Sequence, residues 1–218
     1  MTALVRYLCT TLLLSQRYLA PVLLFTGLVA VLTSSDSGPL TATYGAAAGA
    51  MLVCSTWLTI ALVGLEDQVH RSVVVVNVGD SRRVLLGTVC TAVLGCLVLT
   101  VLGLGIPFLV GSHRPTGAAL VVGVEAQLTC ALTGIAVGLL CSRLVFRRQG
   151  YALLLAVVLL PALMVAKGVP PVNPLLSRLA TTSRAADLLA PAGALLVVAA
   201  GVLAAGAALT QAIAGRRS

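Results

Sequence analysis

Charge is what this chain has least of. Only 9 % of its 218 residues are Asp, Glu, Lys or Arg, against about a quarter in soluble domains. With 59 % hydrophobic residues and a mean hydropathy of +1.09, an ordinary soluble fold is excluded. Short segments of alternating apolar and polar residues are missing too, which excludes a transmembrane β-barrel. What remains is a polytopic all-α membrane protein.

Catalytic and ligand-binding motifs are equally scarce. The sequence has no HExxH, no GxSxG, no Walker loop and no paired intramembrane Asp, so an intramembrane protease or hydrolase lacks support. Without a phosphate-cradling glycine loop the chain is not expected to be an enzyme or to hydrolyse ATP by itself. His70 and His113 fall on opposite sides of the membrane and cannot share a site. Cys9, Cys54, Cys90, Cys96, Cys130 and Cys141 lie in apolar runs or at their ends, without CxxC spacing. They read as packing residues rather than a disulfide framework or metal site, and no cofactor is expected. No small-residue cleavage pattern follows the first apolar run, so a cleavable signal peptide is not expected.

The apolar runs are about 20 residues each, enough to cross ~30 Å of hydrocarbon. Six spans are expected, over about 18–33, 42–65, 84–110, 117–141, 151–166 and 188–212, in one membrane domain covering 1–218. Pro21 sits in the first turn of the first span, where a missing N–H does least harm. Gly103, Gly105 and Pro107 predict a kink or a broken last turn in the third. Gly45 and Gly49, four residues apart, let another helix approach the second span closely.

Residues 1–16 differ from a span. Thr2, Arg6 and Thr10 repeat every four residues, with Leu4, Val5, Leu8 and Leu12 on the other side, as in a helix lying in the interface. The alternative is that this segment begins the first span. Gln16 and Arg17 would then sit at membrane depth, where an Arg costs at least ~2.5 kcal/mol.

The net charge of +8 follows topology rather than nucleic-acid binding. Arg6, Arg17, Arg71, Arg82, Arg83, Arg143, Arg147, Arg148, Arg216 and Arg217 fall on one side of these spans. Arg114, Lys167, Arg178 and Arg184 fall on the other. That split of 10 to 4 puts both termini in the cytoplasm. Use of Arg over Lys, with abundant Ala, Gly, Val and Leu, suggests a GC-rich bacterial genome and hence a bacterial cell membrane.

Polar residues concentrate in one inner loop, 66–83. Glu66, Asp67, Gln68, His70 and Arg71 open it, and Asp80, Ser81, Arg82 and Arg83 close it. Half the acidic residues of the chain, Glu66, Asp67 and Asp80, are here. The loop reads either as a docking segment for a partner or as a solvated connector. Its length favours docking, since helix–helix connections take ~2–8 residues. Inside the spans, Glu125 is the sole acid, and with Thr129 and Thr133 it forms a polar stripe at i, i+4 and i+8. The stripe is a candidate for a translocation path. The plainer reading is an interhelical hydrogen bond, or a Glu that stays wet near the outer surface.

The order of elements resembles the permease subunits of type-2 ABC transporters, the mostly exporting class. Two motifs carry the likeness. Glu66 and Asp67 match the acidic position after the second span, and Gly79-Asp80-Ser81-Arg82-Arg83-Val84-Leu85-Leu86-Gly87 matches a Pro-x-Ser-Arg-x-x-x-x-Gly stretch, with Gly79 in place of the proline. Asn173-Pro174 matches an Asn-Pro pair in the last outer segment.

The resemblance implies a coupling helix within 66–83, with Gln68–Ser72 as its core because the β-branched Val73–Val76 run disfavours helix. It also implies a re-entrant outer segment within 168–187, involving Asn173, Pro174 and Arg178. The partners implied are a separate ABC ATPase holding ATP and Mg, and a second copy of the chain or a sister permease, forming a dimer in the lipid bilayer. The apolar walls suit export of a hydrophobic or amphipathic cargo such as a drug, peptide antibiotic or lipid. Leu159-Leu160-Pro161 is similar to haem-exporter permeases within the same class. The competing classes are a non-transporting membrane scaffold or sensor subunit, and a secondary transporter using Glu125.

Overall fold

A computed structural model describes residues 2–34, 40–65, 81–110, 116–142, 149–166, 171–182 and 185–215. All the secondary structure among them is helical. The helices are α1 (Thr2–Ser15), α2 (Leu19–Ser34), α3 (Leu40–Val63), α4 (Ser81–Val110), α5 (Gly117–Leu140), α6 (Gln149–Val165), α7 (Val172–Thr181) and α8 (Leu189–Gly215), with a 3₁₀ turn at Ala185–Leu188 before α8. In a solvent without hydrogen-bonding partners a helix satisfies its own backbone, which is why apolar runs of this length have no other local solution.

Four stretches are long and apolar enough to cross a membrane: Leu40–Val63, Arg82–Pro107, Gly117–Leu140 and Ala185–Ile213. The bent pair α1–α2 makes a fifth if counted as one span. The chain is therefore an all-α protein with four to five candidate spans, compatible with a multi-pass membrane protein. α6 is shorter, with an apolar stretch of Leu154–Val165.

The break between α1 and α2 lies where the polar residues predict it, and the two helices meet at 76°. Gln16 makes the corner in the left-handed region, at φ 56°. Its carbonyl accepts the Leu19 N–H at 3.1 Å, which starts α2. The apolar side of α1 does not face only lipid, because Leu8 and Leu12 are buried in the protein and Leu4 reaches Gly87 of α4. Leu13 and Leu14, on the opposite side, are exposed instead.

Burial separates the spans into core and rim. In α3 and α5, 72 % and 67 % of the apolar window is buried, against 33 % in α4 and 17 % in α8. The α3–α5 pair is the centre of the bundle, and its contacts run in order. Tyr44 meets Gly123, Ser55 meets Gly134, and Thr59 meets Gly138, so the two helices run in the same direction. The α5–α8 pair is also co-directed, with Glu125 at Gly193 and Ala136 at Gly206.

Glycine lets α3 and α5 approach. A Cβ at Gly138 would lie 2.6 Å from Thr59 Cβ and 2.9 Å from the Thr56 carbonyl oxygen. At Gly134 it would collide with Ser55 Oγ and the Leu52 carbonyl. The Thr56 hydroxyl then bonds the Gly134 carbonyl at 3.0 Å across the gap. In lipid, such close packing and interhelical hydrogen bonding take the place of a hydrophobic driving force.

The Gly45/Gly49 pair also receives neighbours. Leu179 of α7 comes 3.2 Å from a Cβ built at Gly45, and Met164 of α6 comes 3.1 Å from one at Gly49. α4 continues as helix through Pro107 to Val110, so the last turn is not broken off there.

Candidate functional site

Of the inner loop, Glu66, Asp67, Gln68, His70, Arg71 and Asp80 lie outside the described residues. Its two flanks are described. On the near side, Gly64 follows the last turn of α3, and its carbonyl accepts the Arg17 guanidinium at 3.3 Å. Carbonyls at a helix C-terminus lack an intrahelical partner and carry partial negative charge, so a cation there is favoured. On the far side, Ser81 opens α4, and Arg82 and Arg83 are exposed in its first turn.

One turn further, Gly87 is where α1 lands. A Cβ at Gly87 would lie 2.8 Å from Leu4 Cδ2 and 3.4 Å from Leu8 Cδ1. The α1–α2 elbow thus touches the chain just before residue 66 and just after residue 83.

Within the segment expected on the outer side, α7 covers Val172–Thr181 and is held at both ends. Asn173 Nδ2 donates to the Met164 carbonyl at 2.7 Å, serving a carbonyl in the last turn of α6. The Thr41 hydroxyl donates to the Thr182 carbonyl at 3.1 Å, tying the other end to the start of α3. Val172, Leu175 and Leu179 are buried, Pro174 is half-buried and Arg178 is exposed, so α7 is amphipathic. Between α2, α3, α6 and α7 runs an apolar groove of about 520 Å³ lined by Leu32, Gly45, Gly49, Met164, Leu176 and Ala180.

The expected polar stripe divides. Thr129 and Thr133 are buried, and their hydroxyls bond the carbonyls of Glu125 and Thr129 at 2.7 and 2.8 Å. A threonine whose hydroxyl serves its own helix adds no free polarity to a lumen. Glu125 is half-buried against α8, with Oε1 3.6 Å from where a Cβ at Gly193 would lie. Its Oε2 is buried and has no hydrogen-bond partner among the described residues. The structure brings Glu125 to α8, beside Gly193.

Two polar residues escaped the sequence reading. Gln127 and Tyr44 are fully buried, and among the described residues neither the Gln127 amide atoms nor the Tyr44 hydroxyl has a hydrogen-bond partner. Both were legible as polar groups inside apolar runs. Periodicity alone does not say which way they turn. Gly134 and Gly138 were likewise a visible pair at four-residue spacing. The Arg17–Gly64 bond left no local signal, because it joins residues 47 apart.

No protein-family model matches this chain, and no curated protein or solved structure matches it.

Proposed function

We propose that this chain is the membrane-spanning subunit of an ATP-driven ABC transporter of the type-2, exporting class. It works in a bacterial cell membrane with both termini in the cytoplasm, as a dimer with a second copy or a sister permease. A separate ATPase binds ATP and Mg and docks on the 66–83 loop. In this reading α2, α3, α4, α5, α6 and α8 are the six spans, α1 is the interfacial helix and α7 dips into the outer leaflet.

The observation that carries the reading is the double contact of the elbow with the flanks of the loop. Arg17 holds the Gly64 carbonyl on one side, and Leu4 and Leu8 sit on Gly87 on the other. Helices in lipid have little hydrophobic reason to slide past each other, so work enters from outside the bilayer. Force applied to this loop passes at once into α3, α4 and the elbow. The apolar lining of the groove beside α7 is in keeping with a hydrophobic or amphipathic cargo.

The test is a search for an ABC ATPase that co-purifies with the chain, followed by vanadate-sensitive ATP hydrolysis in proteoliposomes. Arg82→Glu with Arg83→Glu is expected to dissociate or uncouple the pair. Assembly and turnover unchanged by both reversals would remove the docking loop. The unpartnered Glu125 Oε2 favours one second reading, a secondary transporter in which Glu125 carries the coupling ion.

A further inference from the structure

α1 carries its one charge on its exposed side. Leu8 and Leu12 are buried, while Thr2, Arg6 and Thr10 follow one another every four residues and are all exposed. Ala3, Tyr7 and Leu14 are exposed beside them, so an apolar strip runs along the polar one. A cleft of about 550 Å³ lies against this side, and its described lining is Thr2, Ala3, Arg6, Tyr7 and Thr10. The Thr10 hydroxyl spends its proton within the helix, donating to the Arg6 carbonyl at 2.8 Å. The lining therefore combines a cation, the hydroxyls of Thr2 and Tyr7, and apolar surface.

There is no acid on α1 or on α4, the helix against which it packs. Positive charge continues instead. Arg83 is exposed one turn before Gly87, where Leu4 and Leu8 land, and Arg17 is exposed at the elbow. The bend of 76° sets α1 across α2. With α2 crossing the bilayer, α1 lies along its surface at the level of the headgroups. There cations attract anionic lipid, aromatic rings settle at the interface and leucines reach the acyl chains.

We infer that the α1 cleft binds the headgroup of an anionic phospholipid. Arg6 engages the phosphate, whose oxygens a guanidinium meets two at a time. The Thr2 and Tyr7 hydroxyls lie beside it, and Leu14 continues along the acyl chain. A zwitterionic headgroup brings its own cation toward Arg6, Arg17 and Arg83, and like charges repel, which is the basis of selectivity. The inference rests on reading α1 as an interfacial helix and is independent of any ATPase.

The test places a reporter in the cleft. Trp57 is the chain's single tryptophan, so Tyr7→Trp in a Trp57→Phe background gives one signal. The full chain is reconstituted in phosphatidylcholine vesicles containing brominated phosphatidylglycerol or brominated phosphatidylcholine at equal mole fraction. The anionic lipid should quench with an apparent affinity about fivefold above the zwitterionic one, the scale of one arginine at an anionic surface. Arg6→Gln should remove that preference, and Arg6→Lys should retain part of it.

Equal quenching by the two lipids overturns the site while leaving α1 in the interface. Quenching by neither removes the interfacial helix as well and leaves this face to a protein partner. A preference that survives Arg6→Gln overturns Arg6 as its cause, and with it the site. A preference abolished by soluble glycerol phosphate overturns a lipid as the occupant. If the reporter or the Gln variant does not accumulate, mass spectrometry of the parent chain released from vesicles of the same two lipids decides. Phosphatidylglycerol retained above its supplied ratio supports the site, and retention at that ratio overturns it.

Discussion

The Arg17 guanidinium bonds the carbonyl of Gly64 at 3.3 Å, joining the corner between α1 and α2 to the end of α3. Gln16 is already in an unfavourable left-handed conformation at that corner, so the bond fixes an elbow that the backbone alone would not prefer. The same elbow rests on Gly87 through Leu4 and Leu8. The α1–α2 corner is thus tied to the end of α3, and α1 to the start of α4.

Replacing Arg17 with Ala should destabilise the protein by at most about 1 kcal/mol, as expected for an exposed charged group at a helix C-terminus. The proposed coupling should suffer more than the stability. Thermal melting in detergent and ATP hydrolysis by the reconstituted complex separate these effects, and a variant with unaltered Tm and turnover would show that the elbow needs no tie.

Gly138 and Gly201 should respond oppositely to the same change. Gly138→Leu drives a side chain into Thr59 and the Thr56 carbonyl, whereas an added Cβ at Gly201 meets nothing within 4 Å. Overpacking against backbone costs about 1–3 kcal/mol or more. Size-exclusion yield and Tm should collapse for the first and hold for Gly201→Leu. Comparable behaviour of the two would mean that α3 and α5 do not meet as closely as described.

Asn173→Asp is nearly isosteric but removes the donor that serves the Met164 carbonyl. It should loosen α7 and cost about 1–3 kcal/mol, because an ionised carboxylate facing a carbonyl also repels it. Limited proteolysis from the outer side reads the outcome. Protection equal to that of the parent would argue that Thr41 and Leu179 hold α7 without Asn173.

Glu125→Gln keeps size and polarity but cannot ionise. ATP-driven export should survive it, while ion-coupled transport should be lost, since a carboxamide releases no proton and holds no coupling cation by charge. Uptake and efflux in proteoliposomes, with and without an imposed ion gradient, distinguish the two readings. Loss of ATP-driven transport would place Glu125 on the cargo's path.

Some of this was written plainly in the chain. Long apolar runs punctuated by Pro, Gly and Arg marked the helices, and the polar pair Gln16-Arg17 marked the elbow within a residue or two. Asn173-Pro174 marked a distinct element between α6 and α8, which is α7. The polarity of Thr129 and Thr133 was equally visible, and the structure adds that both hydroxyls bond carbonyls of their own helix. The inner loop was conspicuous for its charge, and what the structure adds there is confined to its flanks.

The sequence by itself determined that the chain is helical and suited to a membrane, because in a medium without hydrogen-bonding partners an apolar run must satisfy its backbone internally. It also marked the ends of the long helices to within three residues. Only the tertiary structure decided which side of each helix is covered. α3 and α8 are both apolar all round, yet 72 % of one window is buried and 17 % of the other. Lipid is as apolar as a neighbouring helix, so hydrophobicity carries no information about facing. That choice falls to glycines, which admit a close neighbour, and to the few polar groups, which need one.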